Sequence, residues 1–412
     1  MNWQSVSSTL SLPDLVFAAL LVFQLPAAVR LLVHLVQTVF RNPPVGPTPL
    51  QPNQLPLDPS LVGSVSVLVP TLNEVHRLEP CLLGLMQQGP EVREILIIDS
   101  NSQDGTRELI WQYAQRDARI KLLTDTPLPS GWVGRPWALH YGYRQSSPQS
   151  QYVLGIDADT QPQPGLVKTL VTRARQDACD LVSLSPRFIV RSAGEAGLHS
   201  ALLTTLLYRT NSWGNGPATE QQVLANGQCF LSRRAVLDAV GGYACARNSF
   251  CDDVTLARHV AKAGFRVQML DGAQLIKVRM YEGVAETWRE WGRSLDLKDA
   301  STGPQLRSDL HLLLTVQALP ILLLAGFALG ILTGMTYSWV GLALLGLNAL
   351  LLGLRLILHV ATAHCYDWTG ASVGLGYWLS PLLDPLAVLR IFLSAYRVPT
   401  HWRGRTYLPQ LR

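Results

Sequence analysis

The 412-residue chain is 48% hydrophobic and only 15% charged, long enough for one ordinary catalytic domain with roughly a hundred or more residues left over. The apolar excess sits at the two ends while the middle alternates like a globular domain, which excludes a wholly soluble chain and a disordered one. The net charge of +5 is not spread as a stripe with interleaved aromatics: Arg390, Arg397, Arg403, Arg405 and Arg412 crowd behind an apolar segment, so a membrane surface is the expected partner and nucleic acid is excluded.

Residues 1–41 read as an N-terminal membrane anchor. From Leu12 to Phe40 the sequence is almost unbroken Leu, Val, Ala and Phe, enough to cross about 30 Å of hydrocarbon. No Lys or Arg precedes Leu12, so a cleaved signal peptide is not expected. Arg30 and Arg41 follow it, which places the next domain in the cytoplasm. Pro26 and Arg30 predict that the second half bends into the interface. Residues 42–61 carry Pro43, Pro44, Pro47, Pro49, Pro52, Pro56 and Pro59, a density that predicts an extended linker.

Across residues 62–301 short apolar runs alternate with helix-period segments: Val65–Val69, Ile95–Ile98, Ile120–Leu123, Tyr152–Ile156 and Leu181–Leu184. That rhythm predicts an α/β fold with a mostly parallel sheet. In such sheets ligands bind beyond the carboxyl ends of the strands. The first run ends in Val-Pro70-Thr-Leu-Asn73-Glu74 and the second in Ile-Ile-Asp99, followed by Ser-Asn-Ser-Gln-Asp104-Gly. Asp99, behind three aliphatic residues, is a candidate to bind a nucleoside, whereas Asn73 and Asp104 are equally able to cap the following helices. The fourth run delivers Asp157 and Asp159, separated by one residue. Such a pair suits Mg²⁺ or Mn²⁺, which takes few protein carboxylates and completes its shell with diphosphate oxygens and water. Asp252 and Asp253 open an amphipathic segment closed by Gly264, where they serve either as helix caps or as a proton acceptor.

Residues 311–359 predict a transmembrane hairpin, His311–Thr333 and Tyr337–His359. Residues 374–412 predict an interfacial or re-entrant helix and a basic tail, because Pro381, Asp384, Pro385 and Arg390 argue against a full crossing. Six scattered cysteines without a C-x-x-C pair predict reduced thiols on the cytoplasmic side.

The ordered set VPTLNE, IIDSNSQDGT, GIDADT, NGQCFLSRRAVLDAVGGY and CDDVTLARHVAKAGFRV resembles the family 2 inverting glycosyltransferases. The resemblance implies an α/β GT-A (Rossmann-like) catalytic domain, here with transmembrane helices at both ends. It also implies a nucleotide-sugar donor and a divalent cation. Pro70, Asn73, Glu74, Asp99, Arg135 and Asp157 would then bind the donor, Asp159 the metal, and Asp253 would take the acceptor proton with Asp252 in support. Gly227 falls in the NGQC motif. Arg279, Trp288, Trp291 and Arg293 lie where processive relatives carry Q/R-x-x-R-W, but Glu290 stands before Trp291. A polysaccharide synthase is therefore disfavoured, and the two tryptophans are alternatively an interfacial belt. The tail with Trp402, Arg403 and Arg405, together with PLPSGWVGRPWALH, is most similar to the cyanobacterial carotenoid 2'-O-glycosyltransferases. A hydroxylated carotenoid is thus the expected lipid acceptor, with hopanoid, diacylglycerol or ceramide as alternatives. The tail itself is equally suited to phospholipid and to the donor.

Overall fold

The computed structural model describes residues 11–41, 58–210, 220–291, 295, 297–367, 372–397, 401–402 and 405–406. The proline-rich stretch before Asp58, Arg293 and Arg403 lie outside the described residues. So do the side chains of Arg41, Trp402 and Arg405, although Trp402 and Arg405 pair through their backbones as two short antiparallel strands.

All five apolar runs are strands. They are β1 (Val65–Thr71), β2 (Val92–Asp99), β3 (Ile120–Thr124), β4 (Tyr152–Ile156) and β6 (Leu181–Ser185), with the short β5 (Thr160–Pro162) between the last two. β8 (Cys229–Arg233) and β9 (Val267–Asp271) complete a seven-stranded sheet of order β3-β2-β1-β4-β8-β6-β9. Only β8 runs against its neighbours β4 and β6; the other pairings are parallel. Helices cover both faces, which explains why β1, β2 and β4 read as continuous Val, Ile and Leu instead of alternating. The helices include α2 (Leu78–Met86), α3 (Thr106–Ala114), α4 (Gly134–Gln145) and α5 (Leu166–Gln176).

Register aligns the ends of the central strands. Thr71 pairs with Asp99 and Asp99 with Thr124, so three strands finish flush. The loops after β1 and β2 are then stitched together. Asn73 N–H donates to Ser102 Oγ at 2.8 Å, Gln103 N–H to Asn73 Oδ1 at 2.9 Å, and Val75 N–H to Asp104 Oδ2 at 3.1 Å. Asn73 reaches this position with φ +54°, a left-handed conformation that asparagine tolerates better than most residues. Asn73 therefore joins two loops, where the sequence left a helix cap open.

A second sheet of order β11-β7-β10-β5 packs with the C-terminal segment around Cys365, Val373 and Tyr377. It contains β7 (Arg187–Ile189), β10 (Ile276–Val278) and β11 (Tyr366–Asp367). The last of these follows the final long apolar helix, so the C-terminal region is hydrogen-bonded into the catalytic domain.

Among the described residues, three helices are long and apolar enough to cross a membrane: Leu12–Val36 within α1 (Leu12–Arg41), Gly303–Leu332 and Trp339–Cys365. The second begins eight residues before the predicted start. Thr302 accepts the Gln305 N–H as its cap, with Pro304 in the first turn, so a polar first turn precedes the apolar stretch. The bend expected at Pro26 does not interrupt the helix, which runs unbroken to Arg41. Ala27, Ala28 and Leu31 are buried against the neighbouring helices instead, and that packing tolerates the missing N–H.

Cross-helix contacts set the helix directions. Arg30 pairs with Asp309 at 2.7 Å, Gln24 Nε2 donates to Thr315 O at 2.9 Å and to Asn348 Oδ1 at 3.0 Å, and Phe17 packs on Phe327. Ser338 donates to Asp14. α1 thus runs antiparallel to Gly303–Leu332 and parallel to Trp339–Thr362. Leu12 and the turn at Thr333–Ser338 lie at one end, with the catalytic domain at the other.

α6 (Ala193–Arg209) joins the two parts. Leu198, Ala201 and Leu202 pack into the cluster formed with α1 and the helices Gly303–Leu332 and Asp384–Ala395. Gln317 Nε2 donates to Ala201 O at 2.9 Å. The short helix Val373–Trp378 crosses the start of α6 so closely that a Cβ on Gly376 would overlap the Ala193 backbone, and one on Gly197 would lie 2.9 Å from Gly376 O. The segment Val373–Ala395 is accordingly broken into short helices, with Arg355 and Asp384 paired at 2.9 Å on its inner side. Gly376→Ala should lower the apparent melting temperature in detergent by several degrees, since overpacking costs about 1–3 kcal/mol. Gly353→Ala, where an added Cβ meets nothing within 4 Å, is the control; equal melting of both variants would refute tight docking at this crossing.

Candidate active site

Beyond the ends of β1 and β4 lies a cleft of about 810 Å³. Its polar end is organised by one side chain. Arg135, in the first turn of α4, donates from Nε to Asp157 Oδ1 at 2.9 Å and from Nη2 to Gly227 O at 2.6 Å, and pairs through Nη1 with Asp252. Three segments distant in sequence converge on this planar fork: the end of β4, the loop before β8, and the start of α8 (Asp252–Lys262). Burial opposes the guanidinium's charge, but Asp157, Asp252 and Asp253 outweigh it and push its pKa up. The sequence pattern assigned Arg135 to a donor phosphate. Its side chain is only 12% exposed and all three nitrogens are engaged, so in this structure it serves as a clamp. Gly227 is fixed by the same contact, because a Cβ there would sit 2.6 Å from Nη2.

Asp253 lines the cleft with Asp157, Asp159 and Asp252. Its Oδ2 accepts the Gly227 N–H at 2.6 Å and its Oδ1 the Val254 N–H at 2.8 Å. Asp252, expected to cap or support the helix, instead spends its carboxylate on Arg135. Burial raises the pKa of Asp253, with Arg135 and the two N–H donors opposing. Burial also raises Asp252 to about 7, against the pull of Arg135. Asp159 rises to about 7 through burial and the neighbouring Asp157, with Arg77 partly offsetting. Carboxylates that are costly to ionise together are the pattern expected where a cation or a proton is to be received.

Mg²⁺ or Mn²⁺ fits this donor set. Among the described residues no three His, Cys, Asp or Glu side chains converge to hold a metal, so Asp157 and Asp159 would supply the protein's share. One or two carboxylates with phosphate oxygens and water is the usual arrangement for such an ion.

Leu72, Asn73 and Glu74 line the cleft from the first loop. Pro70 lies within β1 behind them. Asp99 is placed apart: it is fully buried, accepting from Ser102 N at 3.1 Å, Ser102 Oγ at 2.5 Å and Arg107 Nη1 at 3.1 Å. Arg279 sits behind the cleft on Glu195, 2.8 Å away, and on Ile189 O at 3.1 Å. Trp288 stacks beneath Arg390, which donates to its carbonyl at 2.6 Å. The belt expected for Trp291 is not formed: the ring is buried, stacks on His199 at 3.7 Å between centroids, and faces the cleft. A π-helical turn over Thr287–Trp291 brings Arg289, Glu290 and Trp291 to the same wall, and such turns gather at functional sites.

The other end of the cleft is apolar. Leu203, Leu206 and Leu207 of α6 line it with Phe188, Leu224 and Leu297. These residues carry no motif, and neither do Arg77 and Glu286. Only the tertiary fold reveals them, although the Leu-Leu repeats of α6 mark an apolar helix.

Residues 66–241 match the family described as Glycosyl transferase family 2. The chain is 24% identical over 246 residues to 4,4'-diaponeurosporenoate glycosyltransferase of Staphylococcus haemolyticus, covering 59% of this chain and 64% of that protein. It is 27% identical over 118 residues to cholesterol galactosyltransferase of Borreliella burgdorferi, covering 29% and 33%. The alignments thus span less than two thirds of either relative. The solved mannosyltransferase PcManGT from Pyrobaculum calidifontis, in complex with GDP-Man and Mn²⁺, superimposes with a TM-score of 0.54 at 18% identity, over 93% of this chain and 99% of that one. The sheet order and this superposition show that the chain has the GT-A fold, with residues 66–241 matching glycosyl transferase family 2 and, among the described residues, three helices long and apolar enough to cross a membrane.

Proposed function

We propose that the protein is an inverting glycosyltransferase that moves a sugar from a nucleotide-sugar to the hydroxyl of a lipid, with a hydroxylated carotenoid as the favoured acceptor. The observation that carries this reading is the position of Asp253. Its carboxylate belongs to the polar end of the cleft, while the next residue, Val254, packs with Leu224, Met269 and Leu297. A hydroxyl on an apolar body would meet both. The staphylococcal relative's name supports a carotenoid-type acceptor, and the Borreliella relative's name supports lipid acceptors more broadly.

In this mechanism the two N–H donors from Gly227 and Val254 hold the Asp253 carboxylate in place. Asp253 accepts the acceptor's hydroxyl proton as that oxygen bonds to the anomeric carbon from the face opposite the leaving diphosphate, which inverts the centre. The base ends neutral, a form its burial favours. Arg135 keeps Asp157 and Asp252 aligned by opposing their charge. A divalent cation held by Asp157 and Asp159 would supply positive charge against the departing nucleoside diphosphate. The catalytic domain faces the cytoplasm in this reading, with the turn at Thr333–Ser338 outside.

Asp253→Asn should reduce transfer by about 10²- to 10⁴-fold while donor affinity persists. Asp252→Asn should disturb Arg135 and weaken donor binding too. Near-normal turnover by Asp253→Asn would remove it from the mechanism. Extracted carotenoids, hopanoids, diacylglycerol and ceramide, offered separately with a panel of nucleotide-sugars, identify the acceptor.

The raised pKa of Asp159 has a definite sign. Its folded value, about 7, exceeds its ordinary value of 3.8, so the group lowers folding stability as pH rises between those values. A bound cation removes that penalty. Mn²⁺ should therefore raise the melting temperature more at pH 8 than at pH 5, and Asp159→Asn should abolish the difference. An equal Mn²⁺ effect at both pH values would contradict the assignment.

Topology is read by labelling. With a membrane-impermeant maleimide on intact cells, Thr336→Cys should react and Gln145→Cys should not until the membrane is opened. The reverse pattern would place the catalytic domain outside.

A further inference from the structure

The clamp at Arg135 leaves an electrostatic question within the proposed reaction. Glu74, Asp157, Asp159, Asp252, Asp253, Glu286 and Glu290 bring carboxylates to the cleft, and a nucleoside diphosphate would add more negative charge. Arg77, Arg135 and Arg289 are the arginines lining it. Arg135 is committed to Asp157, Asp252 and Gly227. Arg289 is 70% exposed, 3.5 Å from Glu290, where water screens it. Arg77 differs from both. It stands at the start of α2, directly after the stitched loop of Asn73 and Glu74, and is 26% exposed. Its Nη2 contacts Glu286 Oε1 at 3.1 Å and Oε2 at 3.5 Å, and its Nη1 contacts Met280 O at 3.3 Å. These are long bonds for a charge-assisted pair. Glu286 has a second partner: its Oε2 accepts the Glu282 N–H at 2.6 Å. Departure of Arg77 would leave that carboxylate hydrogen-bonded.

We propose that Arg77 is a donor-binding residue whose guanidinium exchanges Glu286 for the diphosphate of the nucleotide-sugar, so that Glu286 competes with the donor for it. The proposal rests on the nucleotide-sugar reading above. A phosphate offers the fork a bidentate partner with a fuller charge than a single carboxylate provides. The exchange also links the two halves of the cleft. Glu286 immediately precedes the π-helical turn bearing Arg289, Glu290 and Trp291, so donor binding would release the segment that lines the acceptor side.

The test uses the full-length protein in detergent, with UDP and GDP as probes against uridine and guanosine, measured by calorimetry. For whichever diphosphate the wild type binds, Arg77→Gln should weaken affinity roughly 10- to 100-fold, the scale of hydrogen bonds to a charged group, with nucleoside affinity unchanged. Arg77→Lys should retain part of the loss. Glu286→Gln should shift affinity the other way, tightening the diphosphate roughly two- to fivefold as a competing ion pair is removed. A purely structural ion pair predicts instead that Arg77→Gln and Glu286→Gln melt earlier and bind more weakly alike, and that result would overturn the proposal. Wild-type binding undiminished in Arg77→Gln would overturn it while leaving the glycosyltransferase reading intact. A wild type that binds neither diphosphate would defeat both.

Discussion

The site depends on one buried guanidinium. Without Arg135, the carboxylates of Asp157 and Asp252 would lose the cation that stands between them. With it, the end of β4, the Gly227 loop and the start of α8 share a single planar anchor. Asp253 inherits its position from that arrangement, because the Gly227 that gives its carbonyl to Arg135 gives its N–H to Asp253. The binding, metal and proton-transfer roles proposed for these side chains would therefore be geometrically coupled through one residue, Gly227. Losing the arginine would leave the buried Asp252 carboxylate and the partly exposed Asp157 carboxylate uncompensated, a larger disturbance than losing a contact.

The second organising element is α6, which has no polar face to spare. One side completes the packing of the apolar helices, and the other forms the apolar wall of the cleft. Sharing one helix between the two compartments would give the proposed lipid acceptor a continuous apolar path to a carboxylate. The crossing of Gly197 and Gly376, and the pairing of β11 with β7, fix that helix from the C-terminal side as well.

The parallel core was legible because doubly covered strands write themselves as unbroken apolar runs. The strands Cys229–Arg233, Val267–Asp271 and Ile276–Val278 were less visible, being short, mixed in polarity, or antiparallel insertions. Asp157, Asp159, Asp252 and Asp253 were legible as acids at element ends, and the structure brings them into one cleft. The partnership of Arg135 with Asp252 was not, since 117 residues separate them and neither carries a local signature of the other. Trp291 shows the same limit in reverse: a tryptophan beside a membrane segment satisfies the pattern of an interfacial anchor, and only His199, brought in by α6, reveals a buried one.

The two-residue strand Tyr366–Asp367 has a consequence for reach. It follows the last long apolar helix directly and is hydrogen-bonded to the sheet that flanks the cleft, so little slack separates helix from domain. Under the proposed function, with the helices in a bilayer, the cleft would stand at a constant height above the lipid and work as a ruler. A lipid acceptor would then be selected by how far its hydroxyl rises from the hydrocarbon as much as by its chemical outline, and a group seated too deep or held too high on a long spacer would miss Asp253.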